Sequence, residues 1–476
     1  MQNNLMYIHR YMMGQIRRIY FMALPESKKD MKSSRIYYTT ADSAAQTIAQ
    51  LAGGTFLAAL MSHSGISDAN IGIITSLVSL AALSQLFLIN FFKRIKKYKF
   101  LVCATALQRA LFAALYLIPL LGIGNVEKAV LIVVLYFVGQ VFVQIGLPAS
   151  QDWIASLVPS RLRGKYFSIK DSVAVFVVSG MMLICGMILD HFKKTNIMTG
   201  FNIICVLIII LTLINVIALS MMKEPKISYV NEHGKEMHGR LAKKAKDTEI
   251  AEKSQSILSE VKEAFHNRKF RKAFSIQCLF QLAFYICIPF NASYQINDLK
   301  LPYTFIMLVG FILNLYRIYI TPRLGRLADK HGMAKILRFS FFALGLNFLS
   351  MAFTMPFNAY PMYILGSFFA STAWAFVGIG LFGIQLDFFK NEKRMTWLTI
   401  TSSLSGVFGF LISIVGGSIL GVLQKANLQL FGYKIYAQQV LNLTGFLIIL
   451  FTVYFIKFHI ETEKIDANRQ DGRVNI

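Results

Sequence analysis

Long apolar segments without a charged residue constrain this chain more than any other feature of its sequence. The stretches 203–222 and 435–456 contain no Lys, Arg, Asp or Glu. About 20 apolar residues allow a helix to cross a bilayer, and lipid offers no hydrogen-bond partner to backbone outside a helix or a closed barrel. Of the 476 residues, 55% are hydrophobic and 15% are charged, which is too little polar surface for a soluble domain. The sequence therefore predicts an all-α polytopic membrane protein.

The same criterion applied along the chain predicts twelve membrane spans in two groups of six. An N-terminal six-helix bundle covers 41–222 and a C-terminal one covers 273–456, and a polar cytoplasmic loop, 223–272, separates them. A basic N-terminal segment, 1–40, and a tail, 457–476, complete the chain. The predicted spans are 41–62, 70–92, 100–121, 129–149, 167–189, 199–222, 273–296, 303–321, 339–356, 359–383, 397–423 and 435–456.

The distribution of Lys and Arg predicts the orientation of these spans. The net charge is +25, and 40 of the 49 basic residues fall in the termini and in every second loop. Because basic loops stay in the cytoplasm, we expect both termini inside a cell membrane, and we expect no nucleic-acid partner. The opposite loops hold six lysines, which are Lys128, Lys193, Lys194, Lys300, Lys425 and Lys434. Within 223–272, apolar residues at 257, 258, 261 and 265 predict an amphipathic helix.

The two halves of the chain show corresponding segments. The loop after span four, 151–167, carries Gln, then Asp, then basic residues, then an aromatic residue, and so does 385–397 after span ten. The segments 65–72 and 299–306 open spans two and eight in the same place. Duplicated six-helix halves indicate a transporter with its binding site between the halves, near the middle of the membrane.

One segment between spans eight and nine resembles a family signature. Residues 325–335 read GRLADKHGMAK, which is similar to the motif G-x-L-x-D-[RK]-x-G-[RK]-[RK] of the major facilitator superfamily (MFS). The resemblance implies the MFS fold and a monomeric secondary transporter that works by alternating access. It also implies a small solute as partner, H⁺ or Na⁺ as a coupling ion where there is one, and no cofactor. The corresponding first-half segment, 90–99, lacks the glycines and the aspartate.

The motif residues form the predicted gating group. Glycines permit a tight turn, and an aspartate can accept N–H groups where a helix begins. Resemblance to the family assigns Arg326 and Asp329 a latch role, and either Arg326 or Lys330 can pair with Asp387. The complete gating set is Gly325, Arg326, Asp329, Lys330, Gly332 and Asp387.

Glutamine pairs are the main candidates for the solute site. Spans one, four and seven each carry two glutamines four residues apart, which places both amides on one helix face. A polar side chain within the membrane faces a partner or water. These residues therefore either line a polar cavity or join helices by hydrogen bonds. The pairs are Gln46 and Gln50, Gln140 and Gln144, and Gln277 and Gln281, and we add Asn291 and Trp374 as further cavity candidates.

Four charged residues within spans or near their ends are the remaining candidates. Arg109 and Arg317 lie in spans three and eight, where a charge indicates a function by default. We expect Arg317, one turn from the cytoplasmic end, to reach that surface or to pair with Asp387. Asp42 and Asp171 are candidates for a proton carrier, or else they cap helices and pair with local bases.

Other function classes find little support. The chain has no G-x-x-x-x-G-K-[ST] loop for ATP, and its eight histidines form no metal-ligand pattern, so we expect neither an enzyme nor a metal site. A membrane sensor or a lipid-modifying protein on the same scaffold remains an alternative. Among transporters, uptake of a polar nutrient competes with export of an amphiphile, because the glutamines favour the former and the 40 Phe and 20 Met the latter.

Overall fold

The structure, a computed structural model, is almost entirely helical in the part of the chain that it describes. That part comprises residues 26–85, 98–158, 163–223, 229–230, 236–237, 257–389, 394–426, 429–430 and 433–461. Its strands form two antiparallel ladders of two residues each, which pair Tyr229–Val230 with Glu236–Met237 and Gln429–Leu430 with Tyr433–Lys434.

The first half contains spans 1 to 6. Three of them are interrupted and three are single helices. Span 1 consists of Glu26–Leu51 and Gly54–His63; span 2 of Asp68–Thr75 and Leu77–Ala81; span 3 of Tyr98–Leu107, Gln108–Ala110, Leu111–Leu115 and Ile118–Leu120; span 4 is Asn125–Leu157; span 5 is Arg163–Lys193; and span 6 is Ile197–Met221.

The second half contains spans 7 to 12 and one helix before them. That helix, Ile257–His266, confirms the predicted amphipathic segment, and its Phe265 packs on Phe270 and Phe274 of span 7 at ring-centroid distances of 5.3 and 5.0 Å. Span 7 is Arg268–Ser293 with the π-helical turn Tyr294–Asp298; span 8 is Tyr303–His331; span 9 is Met333–Ala352; span 10 is Pro356–Asn358, Ala359–Trp374 and Val377–Phe388; span 11 is Arg394–Ala426; and span 12 is Ala437–His459.

The predicted twelve-span helical architecture is confirmed. Eleven helices among the described residues are long and apolar enough to cross a membrane. The twelfth is predicted span 2, whose residues 86–92 lie outside the described residues. Span 6 shows why these helices suit lipid, because Val206, Leu213 and Ile217 are each more than half exposed on its outer face.

The helices of spans 1 and 8 extend furthest beyond their predicted ends. The helix of span 1 already begins at Glu26 rather than near 41, and the helix of span 8 continues to His331 rather than ending near 321. Both extensions are polar, and hydropathy marks only the part of a helix that lies in hydrocarbon. The N-terminal segment before residue 26 and the tail after 461 lie outside the described residues.

The halves touch each other mainly through four pairs of spans. Span 5 packs on span 8, span 2 packs on spans 7 and 11, and the second helix of span 1 packs on span 7. We call the side of the bundle where span 8 ends and span 9 begins the basic side. The far side is the opposite one, which carries the turns 64–67, 194–196 and 299–302.

Candidate solute-binding site and gates

Span 1 breaks in the membrane next to a predicted cavity residue. Its first helix ends at Leu51 and its second begins at Gly54, whose φ of +47° is strained for any residue with a side chain. The phenol of Tyr116 donates a 2.6 Å hydrogen bond to the carbonyl oxygen freed at Leu51. Irregular backbone at this depth is tolerated where protein or a polar cavity surrounds it. Gln50, one residue before the helix end, is exposed.

Span 10 breaks beside the other aromatic candidate. Its helix ends at Trp374 and resumes at Val377. The indole ring meets Phe280 and Phe284 of span 7 edge-on, at centroid distances of 6.0 and 5.8 Å. Edge-to-face packing leaves ring surface that a planar solute can contact. The two interruptions thus fall next to Gln50 in the first half and Trp374 in the second.

Spans 4 and 7 bring two further candidates to the boundary between the halves. Tyr285, on the same helix face as Gln281, lies next to Ser79 of span 2. Tyr136 of span 4, one turn before the buried Gln140, interacts electrostatically with Tyr285. These contacts direct the faces that carry Gln140 and Gln281 toward the opposite half.

Two of the predicted glutamines are paired with glutamines that the sequence did not single out. Gln85 of span 2 donates a 2.7 Å hydrogen bond to the amide oxygen of Gln144. Gln385 of span 10 donates a 3.1 Å hydrogen bond to Gln277. Each of these pairs lies within one half. Its amides therefore join two helices of that half and have fewer free hydrogen-bonding groups for a solute. By contrast, the amides of Gln50 and Gln281 make no hydrogen bond to another described residue.

Gln46 belongs to an ionic cluster on the basic side of span 1. Its amide donates a 2.7 Å hydrogen bond to Asp42, and the same carboxylate oxygen lies 2.8 Å from the ammonium group of Lys170 on span 5. Lys170 also lies 2.9 Å from Asp171. The side chains of Lys170 and Asp42 are 10% and 20% exposed, whereas that of Asp171 is 64% exposed. The ion pair between Asp42 and Lys170 is therefore the one shielded from water.

Arg109 completes this cluster from span 3. It lies in the 3₁₀ turn Gln108–Ala110, and Asp42 is its main charged neighbour. Its Nε and the Oδ1 of Asn215 are buried and have no hydrogen-bond partner among the described residues. Both residues line one small cavity of about 60 Å³, which is enough for water to satisfy them.

Arg317 interacts with an acid of the other half. The acid that interacts with it electrostatically is Asp171 of span 5, in the other half, rather than Asp387. The reason is that span 5 packs along span 8, which was not visible in the sequence.

Asn291 lies inside the second half. Its amide and that of Asn442 on span 12 bond each other in both directions, at 3.2 and 2.7 Å, and both residues are buried. Asn442 therefore occupies both the amide NH2 group and the amide oxygen of Asn291, and we do not retain Asn291 as a cavity residue.

The motif segment is helical up to its second glycine. Gly325 and Arg326 lie within the last turns of span 8, and the turn to span 9 is made at Gly332, whose φ is +90°. Arg326 and Lys330 are exposed and form no ion pair with another described residue. The side chain of Asp329 lies outside the described residues, so the latch stays a prediction.

The far side holds cross-half contacts that the sequence did not reveal. Asp190 of span 5 accepts hydrogen bonds from the backbone N–H groups of Tyr303 and Thr304, at 3.0 and 2.6 Å, and so caps span 8 of the other half. Asp68 accepts hydrogen bonds from Asn297 at 2.9 Å and from Gln424 at 3.1 Å. The capping residue Asp190 is close to the start of span 8 in space but 113 residues away in the sequence. The sequence around span 8 therefore gives no signal for this cap.

Close backbone approach tightens the same boundary. A Cβ atom at Gly406 of span 11 would lie 2.5 Å from the carbonyl oxygen of Ser79 on span 2, and one at Gly72 would overlap the ring of Phe290. Ser403 donates a 3.2 Å hydrogen bond to the carbonyl oxygen of Ala82 one turn further on. Small residues let helices approach in this way. The two halves are therefore in direct contact from the far side to about the middle of the membrane.

Comparison with known proteins agrees with this architecture. The profile of the Major Facilitator Superfamily matches residues 43–417, and the chain belongs to that family. No curated protein sequence matches. Among solved structures, the chain is similar to a D-xylose-proton symporter, with a TM-score of 0.63 at 14% identity over 89% of this chain and 97% of that one.

Two other structures of different stated function are equally similar. The nucleoside transporter NupG matches with a TM-score of 0.58 at 15% identity, over 91% of this chain and 98% of its own. A bacterial homologue of the iron transporter ferroportin, in an inward-facing state, matches with 0.62 at 13% identity over 91% and 98%. At identities this low the similarity shows the fold alone, so the solute has to be argued from the site.

Proposed function

We propose that this protein is a secondary transporter that takes up a small neutral polar solute with a ring, by alternating access between its two halves. The observation that carries this proposal is a set of groups at the two helix interruptions and on span 7. Gln50 and Gln281 offer amides without a partner among the described residues, and Trp374 offers a ring surface. Each of these groups is uncharged, which favours a solute that is held by hydrogen bonds and ring contacts.

The experiment is solute counterflow into proteoliposomes that contain the purified chain. We expect counterflow with a neutral nucleoside or monosaccharide and none with a cationic amphiphile. Loss of one hydrogen bond to a bound solute costs about 0.5–1.5 kcal/mol, so Gln281→Leu and Gln50→Leu should each raise KM up to about tenfold. Gln108→Leu is the matched control, because Gln108 lies on span 3, which packs on spans 4 and 6 of its own half.

Two results would contradict this proposal. Counterflow with the cationic amphiphile alone would identify an exporter of amphiphiles. Absence of counterflow with every solute, together with ligand-induced stabilisation, would identify a sensor or a lipid-modifying protein on this scaffold.

We further propose H⁺ as the coupling ion and Asp42 as its carrier. Asp42 is shielded from water, bonds Gln46 one turn before Gln50, and faces the cations Lys170 and Arg109. Protonation of Asp42 would release Lys170 and Gln46 together and so connect a proton to the helix that carries Gln50.

Two assays distinguish proton coupling from solute binding. We expect an imposed pH gradient to drive accumulation in the wild type and not in Asp42→Asn, while counterflow, which needs no net proton movement, persists in the variant. Accumulation driven by a Na⁺ gradient at constant pH would contradict the assignment.

We also propose that the basic side is cytoplasmic in the plasma membrane, so that the structure is closed to the outside. Charge asymmetry supports this orientation. On the basic side, Arg326 and Lys330 would then form the latch with Asp387 only when the protein opens outward. A cysteine at position 233 should be protected in intact cells from an impermeant maleimide and one at position 128 should react, whereas the reverse pattern would reverse the orientation.

A further inference from the structure

The far side contains a cavity whose walls come from both halves. Its volume is about 500 Å³. The first half contributes Ser62, His63 and Lys193, and the second half contributes Asn297, Lys300 and Tyr303. Ser62 and Asn297 join the two walls by a 3.1 Å hydrogen bond. This cavity is separate from the proposed solute site, because it lies at the end of span 1 rather than at its interruption.

The cavity is lined by cations and by no carboxylate. Lys193 and Lys300, two of the six lysines in the loops on this side, both face it, together with His63. None of these three residues forms an ion pair with another described residue. Lys193 lies 5.4 Å from the centre of the Tyr303 ring, which orients its ammonium group over the cavity wall.

Three carboxylates lie near the cavity without lining it. Asp190 is held by the N–H groups at the start of span 8, and Asp68 by Asn297 and Gln424. Asp298, beside the cavity in sequence, has Asp68 and Lys434 as its charged neighbours, and its buried Oδ2 has no hydrogen-bond partner among the described residues. None of the three forms an ion pair with Lys193 or Lys300.

The backbone at Lys300 is strained in a way that presents this residue to the cavity. Lys300 has a φ of +52° and is the one non-glycine residue with positive φ in the described part of the chain. The flanking residues hold it there, because Leu299 and Leu301 donate hydrogen bonds of 2.9 and 3.0 Å to Tyr294 and Gln295. Side chains rarely adopt this conformation, and such strain concentrates at binding sites.

We propose that this cavity binds a small oxyanion, a phosphate or carboxylate group, between Lys193 and Lys300, and that the bound anion holds the far side closed. Closure brings cations of opposite halves around one space, where they repel each other. An anion between them turns that repulsion into attraction. A ligand that binds the closed state better shifts the protein toward it, and closure must in turn strengthen binding of the anion by the same factor.

The binding experiment uses the purified full chain in an uncharged detergent, with inorganic phosphate titrated against chloride at constant ionic strength. We expect phosphate to raise the Tm of the wild type. Charge-assisted hydrogen bonds are about twice as strong as neutral ones, so Lys193→Gln and Lys300→Gln should each weaken the apparent phosphate affinity about tenfold, and the double variant should lose the response.

Two further variants separate a site from a general charge effect. Lys128→Gln combined with Lys425→Gln removes the same charge from the same side but outside the cavity, and should retain the full response. Lys193→Arg combined with Lys300→Arg keeps the charge and should also retain it, which excludes misfolding as the cause of a loss.

The anion can come from solution or from a lipid headgroup, and vesicles distinguish the two sources. Stabilisation by free phosphate identifies a soluble ligand. Stabilisation by phosphatidylglycerol vesicles relative to phosphatidylcholine, without an effect of free phosphate, identifies a lipid phosphate. An unchanged Tm with both probes, or equal responses in the wild type and the double glutamine variant, overturns the proposal.

Closure is measured away from the cavity. Ala69 meets Gly417 across the far-side boundary, so Ala69→Cys, in a chain without its five native cysteines, reports opening by its reaction with an impermeant maleimide. The effective anion should slow this reaction several-fold, and an unchanged rate refutes the effect on closure. This effect rests on the proposed alternating access, whereas binding does not: if counterflow fails but the lysine-dependent Tm shift persists, the anion site stands and the transport function falls.

Discussion

Two clusters of polar side chains, one in each half, are stabilised in different ways. The first-half cluster uses ions, because Asp42 and Lys170 lie 2.8 Å apart on spans 1 and 5 with Arg109 beside them. The second-half cluster uses neutral amides, the reciprocal pair Asn291–Asn442 and the pair Gln277–Gln385. Neither kind of contact is confined to one half, since Gln85 and Gln144 form an amide pair in the first half and Arg338 and Glu461 an ion pair in the second. The difference teaches where coupling can reside, since only the first of these arrangements contains groups whose charge changes with a proton.

The energetic consequences of the two arrangements are also different. Removing one partner of a shielded ion pair leaves a charge without compensation, which costs several kcal/mol. Interhelical hydrogen bonds within membranes contribute less, about 0.6 kcal/mol on average and up to about 1.7. Substitutions in the ionic cluster of the first half should therefore have larger effects than substitutions in the amide pairs.

The largest effect is expected for Asp42→Asn. It leaves Lys170 with only the exposed Asp171 as its partner, and we expect a loss of about 3 kcal/mol in the free energy of unfolding. The measurement is thermal or denaturant unfolding of the detergent-solubilised protein. Asp171→Asn is the matched control, since loss of an exposed ion pair costs about 1 kcal/mol or less. Equal losses in the two variants would remove the distinction between the shielded and the exposed pair.

The amide pair tests the second half. Asn291→Leu leaves Asn442 buried with its hydrogen bond to the carbonyl oxygen of Gln438 but without its cross-helix partner, so we expect a loss of about 1–2 kcal/mol. The double variant with Asn442→Leu should lose less than the sum of the two single variants, and neither loss should depend on pH. A strictly additive cycle would mean that the two amides do not interact.

The two helix interruptions sharpen the comparison further. The interruption in span 1 needs a glycine, because Gly54 has a φ of +47°, whereas Phe376 in span 10 has an ordinary φ of −138°. Gly54→Ala should cost about 1–2 kcal/mol in stability. Gly378→Ala, in the helix that follows the second interruption and with open space around its Cβ position, should be neutral or stabilising. A similar loss in both variants would contradict a special role for Gly54.

The smallest effect is expected where the halves meet. Asp190→Asn keeps one acceptor oxygen where the carboxylate has two, one for the N–H of Tyr303 and one for that of Thr304, and it removes the charge that the helix N-terminus favours. Such a charge contributes about 0.3–1 kcal/mol, so far-side opening should become up to about fivefold more frequent. The rate of maleimide labelling of Ala69→Cys measures this change, and an unchanged rate would show that Asp190 does not hold the boundary.

Much of the architecture was predictable because it depends on local composition. The spans follow from apolar length, the helix Ile257–His266 from the spacing of four apolar residues, and the family from the segment 325–335. The candidate site was less predictable. Four-residue spacing singled out Gln140 and Gln281 as residues on polar helix faces, but it gave no means to separate them from Asn291, whose partner is 151 residues away.

The remaining features had no local signal at all. Asp171, which interacts electrostatically with Arg317, belongs to the other half. The cap of span 8, Asp190, comes from span 5. Gly406 approaches a backbone oxygen of span 2. The interruption of span 1 could not be predicted either. Gly53 and Gly54 both lower helix propensity, but low propensity alone does not show that a helix ends there.

By itself, the sequence determined that this chain lies in a membrane, that it crosses it twelve times and that it belongs to a family of transporters. Hydrocarbon imposes those properties on each segment separately, through its length and charge. Only the tertiary structure decided which polar groups are used up by one another and which face the boundary between the halves. Those outcomes depend on contacts between residues far apart in the chain, and such contacts leave no periodicity in the sequence.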